Sequence, residues 1–267
     1  IVVPGWDSVT TDYRLVAERL AREGCAVYGS EARTGVYDPV KDRRGNPENW
    51  HDWVADLKAF TQFVRHKHPG LPLFFHGHSF GGVLALQVAA ESPEAPPRGV
   101  IVHSPGYPFM LESEHTLAMA ALRSMAWFRF PHLRWMGRMR RFPTNDAAFN
   151  GQWVASEDRL QAGYKVRYLW RAFELGHQAR LSSRTLALPV LAFGGGLDRV
   201  NAMSDEKREA YRCYLMRELA GGPATAGGHT TAYWYEDGCH TLTAQPTKER
   251  LLTAITTWMN ETLRPKR

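Results

Sequence analysis

The fold of this 267-residue chain is decided by one stretch, Leu71-Pro-Leu-Phe-Phe-His-Gly-His-Ser-Phe-Gly-Gly-Val-Leu-Ala-Leu-Gln-Val-Ala-Ala90. The apolar run at 71–76 predicts a buried strand, and the run at 83–90 predicts a helix. Between them, Gly77-His-Ser-Phe-Gly-Gly82 predicts a sharp turn, because bulky neighbours on either side of its serine would clash. Such a turn lifts the Ser79 hydroxyl above the sheet and directs the helix N-terminus at any oxyanion beside it.

Two further residues fit the partners that a reactive serine requires. A serine hydroxyl is a poor nucleophile until a base removes its proton, and an acid must orient that base. Asp198 follows a predicted strand at 188–193. His240 follows another predicted strand, at 230–235. Because the carboxyl ends of parallel strands meet at one edge of a sheet, both side chains are predicted to converge with Ser79 in one crevice.

The acid could be any of three aspartates. Asp205 lies seven residues after Asp198, at the start of a predicted helix, and Asp237 lies three residues before His240 on the same loop. The position at the end of a strand favours Asp198. The order serine, acid, histidine along the chain is then the order expected for this kind of turn in an open α/β sheet.

The rest of the chain alternates strands with helices. This alternation predicts an α/β fold with a parallel sheet covered by helices on both faces. The other expected strands are 1–3, 25–29 and 99–103. The other expected helices are 10–23, 50–66 and 245–263.

One long segment, residues 107–184, interrupts the alternation because it contains no clear strand. Its three segments of helical spacing are 114–130, 132–141 and 156–179. We therefore predict a core formed by 1–106 and 185–267, with 107–184 inserted as a helical cap. A cap of this kind roofs a crevice and excludes water from it.

The positive charge of the chain is concentrated in the predicted cap. Residues 107–184 hold 12 basic and six acidic residues, so they carry the whole formal excess of +6. On the predicted helix at 132–141, arginines share one face, and Trp135 and Met139 lie on the adjacent face. A basic and aromatic helix is typical of contact with an anionic membrane surface or a phosphorylated substrate. An arginine face in solvent above an ordinary packing stripe is the commoner explanation.

Composition excludes several other classes of protein. A hydrophobic fraction of 44% and a charged fraction of 22% are ordinary for a soluble globular protein, and no apolar run reaches the ~18 residues of a membrane span. Three widely spaced cysteines are not a disulfide framework, which favours a reducing, cytoplasmic compartment. The H-x-H pairs lack a third ligand, so we expect no metal site. Outside the predicted cap the charges balance, so we expect no nucleic acid partner.

Four short motifs carry a resemblance to a known family: Pro4-Gly5-Trp6, Gly77-His-Ser-Phe-Gly-Gly82, Leu197-Asp-Arg-Val200 and Gly238-Cys-His240. They resemble the α/β-hydrolase superfamily, and within it the monoacylglycerol lipase and lysophospholipase-like serine hydrolases. The resemblance spans the chain from end to end, although the middle third matches only by position.

The resemblance implies a complete set of roles without a cofactor. It implies Ser79 as the nucleophile, Asp198 as the acid and His240 as the base. It also implies an oxyanion hole made by the backbone N–H groups of Trp6 and Phe80. In the cap, Trp127, Trp135 and Met139 are expected to contact the substrate.

The chain departs from this family in two loops. The family has His-Gly where this chain has Pro4-Gly5, and proline lacks an N–H and fixes φ. The family's Asp-x-Arg-Gly-x-Gly corresponds here to Glu31-Ala-Arg-Thr-Gly35, so the shape of that loop is open. Members of the family also have strands before the first strand predicted here, so we expect the N-terminal strands to be missing, and export stays open.

The resemblance implies a lipase or esterase that cleaves carboxylic esters with an apolar acyl group. Monoacylglycerol and lysophospholipid are the expected substrate classes, and the arginines favour a phosphate headgroup. The same residues could serve an acyltransferase or an amide hydrolase, because fold alone excludes neither. A non-catalytic binding protein is the third hypothesis, which the presence of all three residues in order disfavours.

Overall fold

The structure is a computed structural model that describes residues 1–6, 8–35, 38–40, 43–106, 124–125, 165–202, 204–219, 231–244 and 246–264. In these residues a sheet of five parallel strands runs in chain order, each strand pairing with the next. The strands are β1 (Val2–Val3), β2 (Phe74–His78), β3 (Gly99–His103), β4 (Val190–Gly195) and β5 (Thr231–Tyr235).

Helices follow the strands and cover both faces of this sheet. A 3-10 turn at Thr10–Tyr13 precedes the first α-helix, and a π-helical segment at Tyr214–Leu219 follows the fifth. The α-helices are α1 (Arg14–Arg22), α2 (His51–Lys67), α3 (Phe80–Ala90), α4 (Val166–Ser183), α5 (Asp205–Cys213) and α6 (Lys248–Leu263). No helix among the described residues has the length and low polarity that crossing a bilayer requires.

The strands are buried on both faces, as a parallel sheet requires. Val100 and Val102 of β3 pack into the core shared with α2, α3 and α4, whereas Ile101 between them packs into the core shared with α1 and α6. Successive strand side chains point to opposite faces, so a continuous apolar run serves two cores. The α/β architecture predicted from the sequence is confirmed.

One predicted strand is wrong. Residues 25–29 pair with β1 only at an isolated bridge between Val2 and Gly29. The Val2 N–H donates to Tyr28 O at 2.7 Å, and the Ser30 N–H donates to Val2 O at 3.0 Å. The next hydrogen bond of a parallel ladder would be donated by the backbone N–H of residue 4. Because Pro4 has no N–H, the pairing ends there.

Helix α4 lies wholly within the predicted cap segment, 107–184, but packs in the core. Its residues Tyr168, Ala172 and Leu175 belong to the same buried cluster as α2 and α3. The sequence predicted a helix at 156–179; the structure gives Val166–Ser183, and residues 156–164 lie outside the described part. The division into core and cap stays a prediction.

Candidate active site

The predicted turn at Ser79 is present and strained. Ser79 stands between β2 and α3 with φ 51° and ψ −120°, a conformation that costs a non-glycine residue about 1–3 kcal/mol. Backbone hydrogen bonds hold it there. Its N–H donates to His103 O at 3.1 Å, and its carbonyl accepts from Gly82 N at 3.0 Å and Gly106 N at 3.1 Å.

Glycines around Ser79 permit the close approach of three chain segments. A Cβ on Gly77 would lie 2.6 Å from the Cα of Gly82, and one on Gly81 would collide with the carbonyl oxygen of Val3. A Cβ on Gly5 would lie 3.1 Å from that of Ser79. The loop after β1 therefore lies directly against the serine, and the glycine requirement read from the sequence follows from backbone contacts.

His240 and Asp198 are in hydrogen-bond contact. His240 Nδ1 lies 3.0 Å from each carboxylate oxygen of Asp198, and the Asp198 side chain is fully buried. The Val200 and Asn201 N–H groups donate to Asp198 Oδ1, both at 3.0 Å, and Asn201 Nδ2 donates to Oδ2 at 2.8 Å. An Nδ1–H that donates to a carboxylate leaves Nε2 of the imidazole as the acceptor.

The two alternative acids are engaged elsewhere. Asp205 begins α5, and its carboxylate lies 3.0 Å from Arg208 Nη2. Asp237 is half-exposed and pairs with Arg250 at 2.6 Å, and this pairing lowers the pKa of its carboxyl. Of the three candidate aspartates, Asp198 is the one that contacts His240.

Of the two residues predicted to form the oxyanion hole, one directly follows Ser79 and the other lies in the loop packed against it. Phe80 is the first residue of α3, so its N–H belongs to the helix terminus that favours anions. Trp6 follows Gly5 in the loop that lies against Ser79. Their side chains pack against other aromatic rings. The ring centroids of Phe80 and Trp53 are 4.9 Å apart, and those of Trp6 and Tyr168 are 4.3 Å apart.

A buried hydrogen-bond chain connects three loops of the site. The Gly5 N–H donates to Tyr13 Oη at 3.0 Å, and Tyr13 Oη donates to His78 Nδ1 at 2.6 Å. His78 Nε2–H then donates to the carbonyl oxygen of His240 at 3.2 Å. The structural hydrogen-bonding role expected for His78 is confirmed. Tyr13 was missed, because its position in a helical pattern gives no sign of a partner 65 residues away.

The comparisons with known proteins identify the family of the chain. Residues 1–246 match the protein-family model described as "Serine aminopeptidase, S33". The chain belongs to this family of α/β-hydrolases.

Two curated proteins that are similar to this chain are monoglyceride lipases. Rat monoglyceride lipase is 26% identical over 211 residues, which cover 78% of this chain and 65% of that protein. Human monoglyceride lipase is 40% identical over 45 residues, which cover 17% of this chain and 15% of that protein. The chain therefore matches less than two thirds of the length of either lipase.

A solved structure shows the same fold. A highly thermostable carboxyl esterase from Bacillus coagulans, in complex with glycerol, has a TM-score of 0.78 at 16% identity. The match covers 98% of this chain and 89% of that one. This likeness supports the α/β-hydrolase architecture.

The second of the two loops that depart from the family pattern, at residues 31–35, contains a strained residue. Thr34 has φ 61°, a value that favours glycine. Its N–H donates to Asp38 Oδ2 at 2.8 Å, and its carbonyl accepts from Gly45 N at 2.7 Å. The neighbouring Arg33 forms a two-pronged ion pair with Asp56. The loop thus holds threonine in a glycine-like conformation.

Three buried histidines lie on β2 and β3, and among the described residues none of them forms an ion pair. The rings of His78 and His103 stack at 4.3 Å, and His103 Nδ1 lies 3.2 Å from His76 Nε2. Burial lowers the pKa of His76 to about 3 and lowers those of His78 and His103 well below their ordinary value. All three are therefore neutral near pH 7. Among the described residues, no three ligating side chains gather in a way that could hold a metal ion.

The predicted substrate contacts at Trp127, Trp135 and Met139 lie outside the described residues. The arginine-rich segment of the predicted cap lies outside them as well. Contact with an anionic membrane therefore rests on the sequence pattern alone.

Proposed function

We propose that this chain is a serine ester hydrolase that cleaves carboxylic esters with an apolar acyl group. The observation that carries the proposal is the strained Ser79 at the head of α3, at the same sheet edge as the Asp198–His240 pair. Monoacylglycerol or lysophospholipid is the proposed substrate class. The similarity to rat monoglyceride lipase supports this class.

In the first step Ser79 Oγ attacks the ester carbonyl carbon while His240 Nε2 accepts the hydroxyl proton. Asp198 keeps the proton of Nδ1 in place and stabilises the imidazolium that forms. The tetrahedral intermediate then collapses, the C–O bond to the alcohol breaks, and the imidazolium donates its proton to the departing oxygen. The product is an acyl-enzyme ester on Ser79.

The oxyanion of the intermediate needs donors that are already in place. The backbone N–H groups of Phe80 and Trp6 are proposed for this role, and each such donor is typically worth ~3 kcal/mol of the barrier. Helix α3 adds the positive end of its dipole. Substitution of a side chain leaves its backbone N–H in place. The role of the Trp6 N–H is therefore tested by changing a residue that holds its loop, such as Tyr13.

In the second step water cleaves the acyl-enzyme. His240 takes a proton from the water as its oxygen attacks the acyl carbon, and returns that proton to Ser79 Oγ as the carboxylic acid leaves. The enzyme is regenerated without a cofactor.

The test is hydrolysis of p-nitrophenyl esters of increasing acyl length, followed by a monoacylglycerol and a lysophospholipid. Ser79→Ala should abolish the activity. Ser92→Ala is the matched control, because Ser92 follows the other end of α3 and its hydroxyl donates to Val88 O at 2.8 Å. The proposal fails if the wild type cleaves none of these esters or if Ser79→Ala remains active.

Amide hydrolysis is the second candidate, because the family model is described as a serine aminopeptidase. The same groups would attack an amide carbonyl, with His240 protonating the departing amine. Aminoacyl p-nitroanilides assayed beside the esters decide between the two. Acyl transfer is tested in the same assay by adding glycerol and measuring the acylated product.

A further inference from the structure

Asn201 is a buried polar residue that the proposed mechanism does not use. It lies three residues after Asp198, in the segment between β4 and α5, and is 4% exposed. Its side-chain amide donates to two acceptors. Nδ2 lies 2.8 Å from Asp198 Oδ2 and 3.2 Å from the carbonyl oxygen of Ser104.

We propose that Asn201 is a positioning residue, whose amide fixes the Asp198 carboxylate against His240 and joins the acid loop to the loop that supports Ser79. This inference rests on the proposed function.

The two carboxylate oxygens of Asp198 are held differently. Oδ1 accepts backbone N–H groups from Val200 and Asn201, which any side-chain substitution would leave in place. Oδ2 accepts the side-chain amide of Asn201, and His240 Nδ1 lies 3.0 Å from both oxygens. Because the Asp198 side chain is fully buried, water does not readily replace a donor that is lost there. Orientation of the carboxylate therefore depends on Asn201.

The second bond of the amide reaches the loop after β3. Ser104 has φ 45°, and its N–H donates to Phe193 O at 2.8 Å. Two residues later, the Gly106 N–H donates to Ser79 O at 3.1 Å. One amide group thus uses its two hydrogens to connect the acid with the segment that holds the serine carbonyl.

The titratable groups that face the Asp198–Asn201 pair are His240 from the loop after β5 and Tyr211 from α5. Burial raises the pKa of Tyr211 well above its ordinary value, and the nearby Asp198 charge adds to this rise. Tyr211 therefore stays neutral across the range in which an ester hydrolase is assayed. Changes in a pH profile after substitution of Asn201 would report on Asp198 and His240.

Two variants test the role. Asn201→Ala removes the donor, and Asn201→Asp keeps the shape but replaces the donor with an oxygen. We expect Asn201→Ala to lower kcat by about 10- to 100-fold with KM within about twofold, because a hydrogen bond to a buried charge is lost. We expect Asn201→Asp to lower kcat further at pH 8, where two adjacent carboxylates repel.

The pH profile separates positioning from a purely structural role. Without the amide, more negative charge remains on Oδ2, which stabilises protonated His240. The acidic limb of kcat/KM should therefore move to higher pH in both variants. Asn260→Ala and Asn260→Asp, at the exposed end of α6, are the controls and should keep the wild-type profile.

A spectroscopic readout tests the same bond without substrate. The proton between His240 Nδ1 and Asp198 should give a far-downfield NMR signal in the wild type that is absent in His240→Gln. In Asn201→Ala this signal should shift upfield and broaden, whereas in Asn260→Ala it should not change. Thermal unfolding checks that each variant is folded. If Asn201→Ala does not fold, the isosteric Asn201→Asp is used for the test.

The outcomes distinguish this proposal from the proposed function. If the wild type cleaves no ester, the proposed function fails, and the NMR signal still decides the role of Asn201. If the wild type is active and Ser79→Ala is not, wild-type kcat in the Asn201 variants overturns the positioning role alone. A fall in kcat with an unchanged pH profile and an unchanged NMR signal overturns it as well.

Discussion

Ser79 and Thr34 are both non-glycine residues with positive φ, at 51° and 61°, in loops at different places in the fold. At Ser79 the strain places a hydroxyl at the head of a helix, beside the loop that carries Trp6. At Thr34 the hydroxyl is buried and has no hydrogen-bond partner among the described residues. Backbone strain thus serves the proposed chemistry in one loop, whereas in the other it holds a side chain that takes no part in that chemistry.

The largest expected effect separates strain from chemistry at Ser79 itself. Ser79→Ala and Ser79→Gly should both lower kcat by roughly 10⁵- to 10⁶-fold, because the nucleophile is lost. Ser79→Gly should be more stable than Ser79→Ala by about 1 kcal/mol, because glycine accepts this φ. Ester kinetics and urea unfolding measure the two effects. Equal stability of the two variants would show that the turn is not strained.

Acid should lower the stability of the fold through the buried histidines. The folded-state pKa of His76, at about 3, lies below the value of about 6.5 of an unfolded chain. Its contribution to stability is therefore complete above about pH 6.5 and is lost as the pH falls from there towards 3. Urea unfolding from pH 7 to pH 4 should show a smaller loss of stability in His76→Leu than in the wild type. The same loss in both would contradict this account.

Tyr13→Phe should break the buried hydrogen-bond chain between Gly5 and His78 without changing the nucleophile. It removes the hydroxyl between the Gly5 N–H and His78 Nδ1, so both lose a buried partner. We expect a loss of about 1–3 kcal/mol of stability and about tenfold in kcat. Tyr233→Phe is the control, because Tyr233 is 39% exposed on β5. Wild-type kcat in Tyr13→Phe would show that the hydrogen-bond chain does not hold the active loops.

The smallest effect is expected at Thr34. Thr34→Gly should raise stability by about 1 kcal/mol and leave ester hydrolysis unchanged, because it relieves strain and removes a hydroxyl without a bond. Thermal unfolding and kcat/KM measure this prediction. A destabilised Thr34→Gly would show that the loop benefits from the threonine in a way that the backbone conformation does not reveal.

Local pattern predicted much of the fold. The strand predicted at 99–103 coincides with β3, and the turn at Ser79 lies where the glycines required it. The strand predicted at 25–29 failed because its pairing depends on Pro4, a residue of another segment. Periodicity within a segment does not contain that information.

The candidate site was predictable to a similar extent. Ser79, Asp198 and His240 follow strand ends, so the rules of open α/β sheets predict that they converge. Of this prediction, the contact between Asp198 and His240 is observed. Tyr13 and Asn201 could not be found in this way, because their contacts join residues far apart in sequence or depend on the shape of a single turn. Geometry of this kind appears only once the loops are packed together.

The central claim is that Ser79 is a nucleophile activated by His240, and covalent labelling tests it most directly. The wild type, Ser79→Ala and His240→Gln would be treated with an alkyl fluorophosphonate and analysed by intact-protein and peptide mass spectrometry. The account predicts one adduct, on Ser79, in the wild type, none in Ser79→Ala, and labelling slowed by orders of magnitude in His240→Gln. An adduct on another residue, or equal labelling of wild type and Ser79→Ala, would contradict it.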